Sequence, residues 1–158
     1  MNTRDFLKLA VAVGASLLAG IIGSFFTAPS IPGWYTTIEK SMLTPPSWVF
    51  GPVWTLLYIL MGIAAFLVWQ KGLQSRVVRA ALLVFFVQLV LNATWSIIFF
   101  GYQNPGLALV DIALLWLAIV CTMKRFYPVS KTAAYLLLPY LLWVSFATYL
   151  NFTIWTLN

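Results

Sequence analysis

The sequence predicts an all-α integral membrane protein, a bundle of five transmembrane helices. Two observations carry this. Of the 158 residues, 63% are hydrophobic and 8% charged, and the mean hydropathy is +0.96. A soluble domain carries about 25% charged residues, so a water-facing surface cannot be built from this composition. The few charges also divide the chain into five long apolar stretches, each near or above the ~20 residues needed to cross a hydrocarbon core. Five such helices use most of the chain, so one domain over residues 1–158 is expected.

The first helix is expected over 6–26, and Pro29, Pro32 and Gly33 should end it. Its apolar run is too long for the core of a secretory signal, so it reads as a retained span. A long loop, 27–44, follows. The second helix is expected over 45–70, where Pro45-Pro46 suits a first turn whose N–H groups have no helical partner. The third covers 77–101 and closes at Gly101-Tyr102-Gln103-Asn104-Pro105. The fourth covers 105–125 and the fifth 131–156, with Pro139 removing a backbone donor and kinking it.

Lysine and arginine set the orientation. With five spans, Arg4, Lys8, Lys71, Arg76, Arg79, Lys124, Arg125 and Lys131 share one side, and Lys40 stands alone on the other. By the positive-inside rule the N-terminus is cytoplasmic in a bacterial inner membrane. The net charge of +6 is scattered at the ends of apolar runs. It therefore reads as a topology signal, and no nucleic-acid partner is expected.

Composition also limits the chemistry. The chain has no histidine, one cysteine (Cys121) and three acids, Asp5, Glu39 and Asp111, far apart in sequence. A disulfide within the chain, a zinc site and His-ligated haem are removed together. Paired-carboxylate and histidine-triad mechanisms lack their parts. No metal, no resident cofactor and no conventional enzymatic activity are expected.

Polar and aromatic side chains inside the spans are the informative residues, because polar groups in lipid are costly without a partner. Gln88, Asn92, Trp95 and Phe99 follow at spacings of four, three and four, so they share a face of the third helix. Two amides beside two large rings make either an interhelical hydrogen-bond site or an amphipathic wall. Tyr140, Trp143, Ala147 and Asn151 form a related face on the fifth, where small Ala147 leaves room for a neighbouring helix or a ligand. Trp54 and Tyr58 lie one turn apart on the second. Trp48, Trp69 and Trp155 have the positions of interfacial anchors, whereas Trp54, Trp95 and Trp143 lie deeper and suit a cavity wall. Asp111 sits one and a half turns into the fourth helix and needs a partner near the loop or a polar end of a pocket. Ala15, Ala19 and Gly23, beside Ser16, Gly20 and Ser24, form small-residue ridges that let helices approach closely, within the monomer or across a dimer. Trp34-Tyr35, in the long loop, reads either as a cap over a pocket or as an anchor.

These segments together resemble a known family. Trp34-Tyr35, the run Pro45-Pro46-Ser47-Trp48-Val49-Phe50-Gly51-Pro52-Val53-Trp54, Leu91-Asn92-Ala93-Thr94-Trp95, Phe99-Phe100-Gly101, Leu109-Val110-Asp111, Pro139-Tyr140-Leu141-Leu142-Trp143 and Phe146-Ala147-Thr148-Tyr149-Leu150-Asn151 are similar, in order, to the TspO/MBR family. That family includes the tryptophan-rich sensory proteins and the translocator protein, or peripheral-type benzodiazepine receptor. The resemblance covers nearly the whole chain and is closer to bacterial members. It implies a five-helix bundle, often a homodimer, whose pocket binds protoporphyrin or haem-like tetrapyrroles and other hydrophobic small molecules. Carried over by motif, the ligand-binding residues are Tyr35, Trp54, Tyr58, Asn92, Trp95, Trp143 and Ala147. The sterol motif of animal members is incomplete here: Phe152 stands where a tyrosine is needed, and no basic residue follows.

Three functions are compatible with this reading. The first is a membrane receptor or sensor that binds tetrapyrroles and regulates their metabolism. The second is light-dependent porphyrin degradation, for which the resemblance points to Trp54 and Trp143. The third is transport of porphyrin or another hydrophobic ligand, for which Asp111 is the sole intramembrane acid.

Overall fold

The structure, a computed structural model, describes residues 2–158 and is all-α. Its elements are α1 (Thr3–Ser30), α2 (Trp34–Thr37), α3 (Ser47–Trp69), α4 (Arg76–Ser96, continued by a π-helical turn over Ile97–Gly101), α5 (Pro105–Phe126), α6 (Lys131–Leu136) and α7 (Leu138–Leu157). Five spans among the described residues are long and apolar enough to cross a membrane: α1, α3, α4 with its π turn, α5, and α6 joined to α7. The chain is a multi-pass integral membrane protein.

Local chemistry sets the helix ends. The Asn2 side chain accepts a hydrogen bond from the Asp5 N–H at 2.8 Å, capping α1, and the Asp5 carboxylate suits the positive end of the helix dipole. α1 runs beyond its expected end, through Pro29 to Ser30. The Ile31 N–H still reaches the Thr27 carbonyl, and the Ser30 hydroxyl ties the last turn to the Phe100 carbonyl at 2.8 Å. Pro45-Pro46 lie ahead of α3 rather than in its first turn: Pro46 is its extended N-cap, with φ −54° and ψ 143°.

The fifth span departs most from a single kinked helix, because it is broken at Leu137 into α6 and α7. Pro139 cannot donate to the Tyr135 carbonyl. The chain tightens ahead of it, with the Leu137 N–H on Ala134 O at 3.2 Å, and restarts with the Leu141 N–H on Leu137 O at 3.0 Å.

The bundle is solid in one half and hollow in the other. Toward the cation-bearing helix ends, Met61, Val68, Ala81, Ile119, Phe126 and Ala133 are fully buried, and Phe85 stacks on Phe126 at 5.8 Å. α1 buries a stripe of Ala12, Ser16, Ala19 and Gly23 and packs on two helices: a Cβ added at Gly20 would meet Tyr58 of α3 and one at Gly23 would meet Ser96 of α4, so both small-residue ridges contribute to packing within the monomer. Ser16 satisfies its hydroxyl on the Ala12 carbonyl at 3.1 Å. The outward faces are apolar: Phe6, Leu18, Phe25, Leu83, Phe86 and Leu117 are all exposed, as expected where lipid is the solvent.

Candidate functional site

The hollow half contains a cavity of about 530 Å³ between α1, α3, the end of α4 and α7. Its walls are aromatic. Trp54 and Tyr58, one turn apart on α3, stack at 5.5 Å. Trp95 and Phe99 stack at 5.0 Å, and the π turn brings Phe100 onto the same surface, 4.8 Å from Phe99. Trp143 stands edge-on to Phe50 at 5.9 Å. Buried Ala147 leaves open space on the α7 side.

The long loop forms the roof. Trp34 packs edge-on against Phe99 at 5.6 Å, and Tyr35 rests on Phe100 at 5.7 Å. The Lys40 ammonium donates to the carbonyls of Tyr35 and Ile38, at 2.6 and 2.9 Å. It also lies 4.9 Å from the centre of the Tyr35 ring, a cation–π contact that pins the roof. Burial pushes the Tyr35 phenol above its ordinary pKa, so it stays neutral at physiological pH.

Tyr35, Trp54, Tyr58, Trp95, Trp143 and Ala147 line this space; Asn92 does not. Asn92 stands one layer behind, 3% exposed, in a relay that ties three helices together. The Tyr58 hydroxyl donates to Asn92 Oδ1. Asn92 Nδ2 donates to the Tyr140 hydroxyl at 3.0 Å, and that hydroxyl donates to Gln88 Oε1 at 2.8 Å. The two amides of α4 thus take the interhelical role, while Trp95 and Phe99 on the same helix form the wall. Asn151 joins wall to scaffold: its Oδ1 accepts from Trp95 Nε1 at 3.0 Å, and its Nδ2 donates to the Pro105 carbonyl at 2.7 Å.

Sequence reasoning missed part of the lining. Ser24, Thr27 and Ala28 of α1 face the cavity; the small-residue ridges were the available signal, since small side chains that do not pack leave space. Trp48 lies on the cavity's lip as well as at a helix end. Asp111 differs from expectation: it is 7% exposed, away from the cavity, and its buried Oδ2 has no hydrogen-bond partner. The buried Trp143 Nε1 is also without a partner. Among the described residues, no three His, Cys, Asp or Glu side chains gather to hold a metal ion. The cavity is an apolar space walled by indole, phenol and phenyl rings.

The sequence matches the TspO/MBR family over residues 12–156. The chain belongs to the TspO/MBR family. Among its relatives, the tryptophan-rich protein TspO of Archaeoglobus fulgidus is 50% identical over 156 residues, covering 98% of this chain and 99% of that protein. The tryptophan-rich protein TspO of Chlorobaculum tepidum is 49% identical, with 98% of each chain covered. The human translocator protein is 41% identical over 146 residues, 91% of this chain and 86% of its own. Five spans and an interior rich in tryptophan are thus features of a TspO/MBR protein that this chain carries along almost its entire length.

Proposed function

We propose that this TspO/MBR protein is a membrane receptor that binds porphyrins and related tetrapyrroles in its aromatic cavity and thereby regulates tetrapyrrole metabolism. The observation that carries the reading is the cavity itself: about 530 Å³, walled by Trp54, Tyr58, Trp95, Phe99 and Trp143. Small-molecule pockets span roughly 300–1,000 Å³ and are mostly apolar, with a few fixed polar groups. Stacked rings offer a planar macrocycle faces to lie on, and Ser24, Thr27 and Tyr35 add hydroxyls to the lining, those of Ser24 and Thr27 donating to the Ile21 and Gly23 carbonyls. The receptor sits in a bacterial inner membrane with its N-terminus cytoplasmic, as the cation asymmetry implies, and functions as a homodimer.

With no histidine in the chain, iron adds no protein ligand of the usual kind. Metal-free protoporphyrin is therefore expected to bind at least as tightly as haem. Quenching of tryptophan fluorescence on purified protein measures both affinities; tight haem binding without porphyrin binding sinks the proposal.

A second reading, light-dependent porphyrin degradation, draws on one specific feature. The Trp143 Nε1 is buried and unpaired on the cavity wall, where that ring is placed to give an electron to an excited porphyrin in the presence of oxygen. Illumination should then bleach bound porphyrin several-fold more slowly in Trp143→Phe than in the wild type. Equal bleaching rates remove any chemical role for this residue.

A further inference from the structure

The cavity is roofed at its end and open along its side. At the end, Tyr35 lies on Phe100, and the Ser30–Phe100 hydrogen bond holds the close of α1 beside them. Along the side, the lining residues of two helices are exposed: Ile21, Ser24 and Ala28 on α1, and Trp48, Gly51 and Thr55 on α3. The lining residues of α4, its π turn and α7 are buried or half-buried. The opening is therefore one-sided.

Its shape follows from where α1 and α3 touch. A Cβ added at Gly62 would strike Val13, and one at Gly20 would strike the Tyr58 ring, with Cδ2 at 2.7 Å. Nearer the loop the helices part, and a Cβ added at Gly51 meets nothing within 4 Å. The slot reaches down to Thr55, eight residues beyond Ser47 at the start of α3. At 1.5 Å per residue that is about 12 Å along the helix. The headgroup layer is only about 5–8 Å deep on each side. With the start of α3 at the membrane surface, the lower slot faces acyl chains, not water.

We propose that this slot between α1 and α3 is the passage through which a flat, hydrophobic ligand moves between the cavity and the bilayer leaflet on the long-loop side, without crossing water. The ligand class is an amphiphile dissolved in that leaflet. Its apolar edge passes Gly51 first, while its polar edge stays at headgroup depth beside Trp48. The tetrapyrrole reading supplies the probe for this inference but not its geometry.

The test closes the slot. Cys121, on the exposed side of α5, is replaced by serine, and Ser24→Cys and Thr55→Cys are introduced together. The protein in phosphatidylcholine vesicles is bridged with a short bifunctional maleimide, confirmed by mass. Bridging before addition of metal-free protoporphyrin should slow uptake at least about tenfold, and bridging after loading should slow release to empty vesicles equally, since one passage serves both directions. Bridged protein that exchanges porphyrin at the unbridged rate overturns the passage. If porphyrin fails to quench even the wild-type protein, the tetrapyrrole reading falls, and a nitroxide on Thr55→Cys decides the passage alone. Its collisions should favour oxygen over a water-soluble nickel chelate, and the reverse preference overturns the slot.

Discussion

Gly62→Leu should separate α1 from α3 and cost about 3 kcal/mol of stability, the upper end for overpacking. The reason is geometric. Gly62 is buried, and an added Cβ would lie 2.9 Å from the Val13 backbone nitrogen and 2.8 Å from its Cγ2. A side chain can rotate away from such a contact, but a backbone atom can retreat only if its helix moves. Helix association in lipid depends on close packing rather than hydrophobic exclusion, so the displaced helix gains nothing in return. Unfolding with sodium dodecyl sulfate, followed by circular dichroism, measures the loss. Gly14→Leu is the control, because its added Cβ meets nothing within 4 Å; it should stay within about 0.5 kcal/mol of wild type. Equal midpoints for the two variants would show that the α1–α3 contact is not tight.

Asn92→Ala should cost about 3 kcal/mol, since each buried polar group left without a partner costs about 1–3 kcal/mol. The substitution takes the acceptor from the Tyr58 hydroxyl and a donor from the Tyr140 hydroxyl. The Tyr140 hydroxyl keeps its bond to Gln88, so the cost falls on the Tyr58 hydroxyl, which loses its acceptor on a side chain only 7% exposed. The effect should also reach the cavity, because Tyr58 is at once a relay member and a wall. Porphyrin affinity is expected to fall several-fold, although Asn92 does not touch the hollow. Tyr58→Phe, which keeps the ring and loses the hydroxyl, should reproduce part of the stability loss with less effect on binding. Wild-type stability in Asn92→Ala would mean that the relay contributes nothing net.

Most of the fold could be read from the sequence because a membrane protein announces its spans by exclusion of charge. The limits of α4 and α5 fell close to expectation, and Asn104-Pro105 marks a start that local chemistry enforces, the Asn104 side chain accepting from the Leu107 N–H. The break at Leu137 was harder to place. Proline dictates that a donor is lost, but neighbouring packing decides whether the helix bends or restarts. For the site, helical spacing brought Trp54, Tyr58, Trp95, Trp143 and Ala147 onto faces that the structure turns toward one hollow. Spacing alone could not separate Asn92 from Trp95. Residues three apart share a face, yet the longer ring reaches the cavity while the short amide stays between helices. The α1 contribution was hidden for another reason. Ser24, Thr27 and Ala28 are as small as the residues that pack tightly a turn or two earlier, and only the divergence of α1 from α3 distinguishes contact from space.

The π turn at the end of α4 allows length to change without loss of span. Five residues, Ile97–Gly101, form this wide turn, closed by the Tyr102 N–H on the Ile97 carbonyl at 2.9 Å. An ordinary turn holds about 3.6 residues, so one extra residue is stored here without disturbing Trp95 before it or the Asn104 cap after it. The extra residue sets Phe99 and Phe100 side by side, 4.8 Å apart, on the wall beside Trp95, where an unbroken α-helical spacing would turn one of them away.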